Sequence, residues 1–227
     1  MKKVYLFAST LILGLNLHCQ SQNIVQSQDV TQKKSIITLD IVPFTFYTVP
    51  RLSLGYLRVI NSHISIGGEI GYGSTDLFNE PIFTGLYVKA RQYKVFEIAT
   101  EIMIFTKENR RYRRYISINP SWLKHTDVFS ESAYINKDKI GIRYSSAKYL
   151  RTKTSVVVNS GIDYSFFDRF GVFTQAGLGA RIRSVKFSEV IESDYKLILI
   201  IDESAFVREG KKIGLDVNVS IRLYYKI

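Results

Sequence analysis

The sequence predicts an all-β protein, an antiparallel up-and-down transmembrane β-barrel of eight strands, and three observations carry that expectation. First, Ile213, Leu215, Val217, Val219, Ile221, Leu223, Tyr225 and Ile227 alternate without a fault with Gly214, Asp216, Asn218, Ser220, Arg222, Tyr224 and Lys226. Period-2 alternation puts each set on one face of a strand. Soluble strands average ~5–6 residues, whereas a membrane-crossing strand needs ~9–11. Second, similar alternation recurs along most of the chain. Third, Lys2 and Lys3 precede an apolar run from Val4 to Leu17, followed by polar Gln20, Ser21, Gln22 and Asn23. That is the layout of a secretory signal peptide, and the run is too short for a membrane helix.

Residues 1–21 are therefore expected to be a signal peptide, 22–34 a flexible polar leader, and 35–227 the barrel. Cleavage near Ser21 would leave about 206 residues and remove Cys19, the single cysteine, so no disulfide forms in the product. A lipoprotein cysteine is the alternative for Cys19, but His18 stands where such signals place a small residue. After Asn23 no apolar run approaches the ~18–20 residues of a membrane helix. The formal net charge is +11, and +9 without Lys2 and Lys3. An exported basic chain is expected to meet phosphorylated lipid or polysaccharide rather than nucleic acid.

The eight expected strands fall at about 35–47, 51–60, 63–73, 82–92, 94–105, 154–166, 170–184 and 211–227, each from its own alternation. Ile37, Leu39 and Ile41 mark the first; Leu52, Leu54 and Tyr56 the second; Ile64, Ile66, Ile70 and Tyr72 the third. Leu86 and Val88 belong to the fourth, Phe96, Ile98, Ile102 and Ile104 to the fifth, Val156, Val158 and Ile162 to the sixth, and Val172, Leu178 and Ile182 to the seventh. Tight turns are expected at Asn61-Ser62, Gln92–Lys94 and Phe167–Arg169, all at one end. Short periplasmic turns and longer outer loops are usual in membrane barrels, and an even count returns both termini to the periplasm. Segments Tyr112–Trp122 and Lys139–Leu150 would add one more hairpin in a ten-strand version.

The polar faces carry Asp40, Glu69, Lys89, Arg91, Glu97, Glu101, Asp163, Arg181, Arg183 and Asp216. Buried charges need partners, and an eight-stranded barrel is just wide enough for side chains to fill it. An internal ionic network is expected. The bland alternative is the solvated outer face of a soluble sheet, which strand length and export disfavour. Most glycines also fall on this face, where they ease curvature and make room for bulky neighbours.

With its signal peptide, its strand rhythm, the segments IGGEIGYG (66–73) and GVFTQAGLGARI (171–182) and its terminal strand, the chain resembles the small outer-membrane β-barrel proteins, the OmpX-, OmpA- and OmpW-like group. The resemblance spans most of 35–227 as a pattern rather than a residue-by-residue signature. It implies an outer membrane of a Gram-negative bacterium, a monomer, and the barrel-assembly machinery as a partner during biogenesis. Many such barrels end in Phe; this one ends Tyr225-Lys226-Ile227.

Candidate chemistry is sparse. Segment 107–153 holds twelve Lys/Arg against four acids, a net +8, and is expected to be an extracellular loop. Its cluster Arg110, Arg111, Arg113 and Arg114 is the candidate site for lipopolysaccharide phosphates, which guanidinium groups bind bidentately; a merely solvated loop is the alternative. Without the leader two histidines remain, His63 in an expected periplasmic turn and His125 in the loop near Thr126, Asp127 and Ser130. Neither builds a recognisable catalytic arrangement. No enzyme activity, metal or cofactor is expected. Three functions remain: a filled barrel with an envelope or surface-binding role, a narrow channel for small solutes, and a soluble lipocalin-like barrel with its apolar face inward.

Overall fold

The computed structural model describes residues 35–42, 50–77, 89–90, 92–108, 112–138, 141–192 and 208–227. The expected signal peptide and leader, the end of the first strand, and most of the fourth lie outside these residues. Among the described residues there are nine strands: β1 (Ser35–Asp40), β2 (Leu52–Val59), β3 (Ile64–Ser74), β4 (Lys89–Ala90), β5 (Lys94–Glu108), β6 (Tyr112–Ile135), β7 (Gly141–Ser165), β8 (Phe170–Glu192) and β9 (Gly210–Lys226).

Eight of them close a ring. The order is β6-β5-β3-β2-β1-β9-β8-β7, and β7 returns to β6. Every ring pairing is antiparallel, from Ile36 opposite Leu57 in β1–β2 to Ile118 opposite Val158 in β6–β7. Closure joins β1 to β9 through five pairs, Ile36 with Lys226 to Asp40 with Arg222. The two-residue β4 stands outside the ring, pairing with Ser130 and Phe129 of β6.

The eight-strand expectation holds, but its membership changes. Segment 107–153 is not a loop: it supplies all of β6 and half of β7, joined by residues 136–140. Of the additional hairpin weighed for a ten-strand barrel, Tyr112–Trp122 lies in a new strand, β6, whereas residues 141–150 are no separate strand but the first part of β7, which continues into the expected strand 154–166. The expected strand 82–92 contributes only Lys89–Ala90 among the described residues, outside the ring. Lys94 accordingly does not end a tight turn; it opens β5, which pairs directly with β3. The short connections 60–63 and 166–169 gather at one end of the barrel with the end of β5, the start of β6, Ser35 and Ile227, hereafter the short-turn end. Among the described residues the opposite end is uneven, because β6, β7 and β8 run on past their neighbours as a projecting wall.

Burial around the ring is reversed from that of a soluble barrel. Outward residues are apolar: Leu54, Ile70, Ile98, Ile118, Val158, Leu178 and Val217 are exposed. Inward residues are polar or charged: Asp40, Ser53, Glu101, Asn159, Asp163, Gln175 and Arg222 are buried. On β8 the apolar outer band runs from Val172 to Ile182; at ~3.4 Å per residue and a ~40° tilt it is about 26 Å tall. Aromatic side chains stand at both margins. Phe96 and Trp122 meet edge to face at 6.4 Å near the projecting wall, and Tyr164–Phe166 and Phe170–Tyr225 pack at 5.3 and 5.6 Å near the short-turn end.

Candidate functional site: the barrel interior

The interior is stratified. At the short-turn end Ile36, Leu57, Met103, Phe105, Tyr115, Phe173 and Tyr224 form a buried apolar plug. Tyr115 meets Phe173 edge to face at 5.9 Å, and Phe173 lies 4.5 Å from Tyr224. Glycine makes room for these rings. A Cβ on Gly161 would lie 2.3 Å from Tyr115 Cζ, and one on Gly171 2.3 Å from the Tyr224 hydroxyl. Asp163 borders the plug, accepting from Tyr224 Oη at 2.7 Å and from Arg113 Nη2 at 2.8 Å.

Above the plug lies an ionic layer centred on Arg222. Its guanidinium donates to Glu101 through Nη1 at 2.5 Å and Nη2 at 3.2 Å, and Nη2 also reaches Gln175 Oε1 at 3.1 Å. Gln175 Oε1 accepts from Tyr115 Oη at 3.2 Å as well. Asn218 donates to Asn159 at 2.9 Å, and Asn159 to Ser117 at 3.2 Å. One step higher Arg51 is paired with Glu97, and Asp216 accepts from Lys153 at 3.0 Å and Arg181 at 3.3 Å. Charges of both signs thus meet across the lumen, which offsets the cost of removing them from water. Among the described residues this layer holds small cavities. One of about 50 Å³ is lined by Asp40, Arg51, Glu69, Lys153, Asp216 and Arg222, and one of about 10 Å³ by Glu69, Glu101 and Arg222 among others. The larger has room for one or two waters.

Toward the projecting wall the inner face turns aromatic again. Tyr93, Val95 and Leu123 form one cluster, and Phe129, Tyr134, Tyr144, Tyr149, Val185 and Phe187 another. His125 lies between them, 5.3 Å from Tyr149 and 6.5 Å from Tyr93 by ring centroids, with Nε2 3.7 Å from Asp127.

Eight of the ten residues expected inside are on the inward face: Asp40, Glu69, Glu97, Glu101, Asp163, Arg181, Arg183 and Asp216. Lys89 instead belongs to β4, paired with Ser130 outside the ring, and Arg91 lies outside the described residues. The cations that complete the network were hidden. Arg222 sits on the polar phase of the last strand, a signal visible in sequence. Arg51 stands at the very start of the expected second strand, ahead of its alternation, while Lys153 and Arg113 fall in a run that charge density marked as loop. The arginine cluster is displaced too. Arg110 and Arg111 lie outside the described residues; Arg113 and Arg114 open β6 at the short-turn end, opposite to where an outer loop would carry them. Arg113 is occupied with Asp163 and lies 4.1 Å over the Phe105 ring. His63 is exposed in the 60–63 turn, where Asn61 Oδ1 accepts from its amide at 2.8 Å. His125 is no loop residue but a buried inward one on β6, 4% exposed. Among the described residues no three His, Asp or Glu converge to hold a metal ion. Compared with known proteins, the chain matches no family model, no curated protein and no solved structure.

Proposed function

We propose that this chain is an integral outer-membrane β-barrel with a filled polar interior and a non-enzymatic envelope or surface-binding role, working as a monomer and inserted by the barrel-assembly machinery. The single observation that carries it is the reversed burial. A continuous outer belt of Leu, Ile, Val and Phe around a charged interior is unstable in water, where monomers rarely expose apolar patches beyond a few hundred Å². In a bilayer the same belt faces hydrocarbon, and its height of about 26 Å is near the ~25 Å band of such barrels, with aromatic margins on both sides. A closed ring also leaves no unpaired strand edge in lipid. The lipocalin-like alternative needs the apolar face inward, the opposite of what Leu54, Ile98 and Val217 do. The channel alternative needs a continuous lumen, whereas the ionic layer leaves cavities of about 50 and 10 Å³ above an aromatic plug.

The test is electrophoretic mobility of the membrane fraction in SDS, with and without boiling. A folded membrane barrel resists unheated SDS and shifts on boiling; a soluble, non-shifting protein overturns the proposal. In planar bilayers the purified barrel should pass no sustained current, and steady open levels would replace the filled barrel with the channel.

A further inference from the structure

On β5, β6 and β9 the first outward residue past the apolar band, toward the projecting wall, is a lysine. Lys94 follows Phe96, Lys124 follows Trp122, and Lys211 follows Ile213; on β8 Lys186 comes one step later, after Ser184. All four are exposed. Register brings them together. Lys124 is opposite Phe96 and Lys94 opposite Thr126, so Lys94 and Lys124 are diagonal neighbours. Lys211 is opposite Ser184, which makes Lys186 and Lys211 a second diagonal pair. Only β7 separates the pairs, with Leu150 and Thr152 in the same two rows. Diagonal neighbours lie ~7–8 Å apart and strands ~4.8 Å, so the four ammonium groups share a patch about 20 Å wide and one residue pair tall. Among the described residues none of the four has a carboxylate within salt-bridge distance, whereas Lys148, further along the wall, is 2.6 Å from Glu189.

We infer that Lys94, Lys124, Lys186 and Lys211 form a collar that binds the phosphate groups of anionic lipids in the leaflet at the projecting end. The inference rests on the membrane placement proposed above. Like charges set this close on a sheet repel one another, and a row of phosphates turns that repulsion into attraction. The position fits that occupant, because an ammonium group one step beyond the last hydrocarbon-facing residue is at headgroup depth. Arg113 and Arg114, by contrast, do not share this leaflet, since β6 starts at the short-turn end.

Trp122, the only tryptophan of the chain, lies one outward step below Lys124 and reports on the lipids beside the collar. The barrel is reconstituted in phosphatidylcholine vesicles containing phosphatidylglycerol, with brominated acyl chains on one lipid or the other at equal mole fraction. The brominated anionic lipid should quench Trp122 as though enriched about fivefold over the zwitterionic one, with the preference fading in high salt. Replacing all four lysines by glutamine should bring the ratio to one, and replacing them by arginine should keep it. Heat-dependent mobility of each variant shows that it is folded. Equal quenching of the unsubstituted protein by both lipids overturns the collar but leaves the membrane barrel standing. Quenching by neither lipid means that Trp122 does not face acyl chains, and the membrane placement itself fails.

Discussion

Glu101→Ala removes the acceptor that holds Arg222, and its cost follows from the geometry. Glu101 and Arg222 are 2% and 4% exposed, so the guanidinium left behind has little water to turn to. Deleting one partner of a buried pair typically costs ~3–5 kcal/mol. Gln175 Oε1 remains 3.1 Å from Nη2, which places the expected loss at the low end, about 3 kcal/mol, or more than a hundredfold in the folding equilibrium constant. Glu101→Gln keeps an acceptor of nearly the same volume and forfeits only the charge assistance, about 1–2 kcal/mol. The double change Glu101→Met with Arg222→Met removes both charges and should recover much of the loss, since apolar replacement of a buried pair is often neutral. Guanidinium unfolding of the barrel in vesicles, followed by Trp122 fluorescence, measures all three. A loss below about 1 kcal/mol for Glu101→Ala, or a double variant weaker than the single, would refute a bridge that secures the interior.

Two further changes probe the wall and the plug. Val217 is 62% exposed, so Val217→Lys would fall within about ±0.5 kcal/mol on a water-facing surface but should cost ~2–4 kcal/mol in hydrocarbon near the midplane; the same unfolding assay decides which. Gly161→Ala drives a Cβ to 2.3 Å from Tyr115 Cζ and 2.6 Å from the Thr174 carbonyl, and should cost ~1–3 kcal/mol by overpacking. Tyr115→Leu in the same chain should relieve part of that loss, and failure to do so would locate the strain in the backbone contact instead.

The strands that lie within the apolar band were legible, and those that outrun it were not. β9 was expected at 211–227 and observed at Gly210–Lys226; β2 and β3 are equally close. An apolar outer face over a polar inner one writes period-2 alternation into the chain. Past the band both faces can be polar, so Lys148 and Thr152 no longer announce the strand that contains them. β6 was obscured differently: Ile116, Ile118 and Trp122 do alternate, but Pro120 on the outer face and the arginines before it resemble a loop. The interior carboxylates were readable for the same reason as the strands. Arg181 and Arg183 were readable too, but which cation meets which carboxylate was not, because pairing across a lumen joins residues up to 121 positions apart, as Glu101 and Arg222 are.

The closure of the ring has a consequence for how it comes apart. Among the described residues β6 and β7 share 23 paired positions, whereas β1 and β9 share five. That junction joins the two ends of the barrel sequence, so among the described residues it bears the largest loop-closure entropy for the fewest ring pairings. Local opening starts where such bonds are few, which makes β1–β9 the seam at which the cylinder unzips and, on assembly, the last to be sewn. Arg222 is a seam residue, opposite Asp40, and its grip on Glu101 of β5 fastens the edge of the opening to the far wall, like a stay drawn across a barrel at its loosest stave.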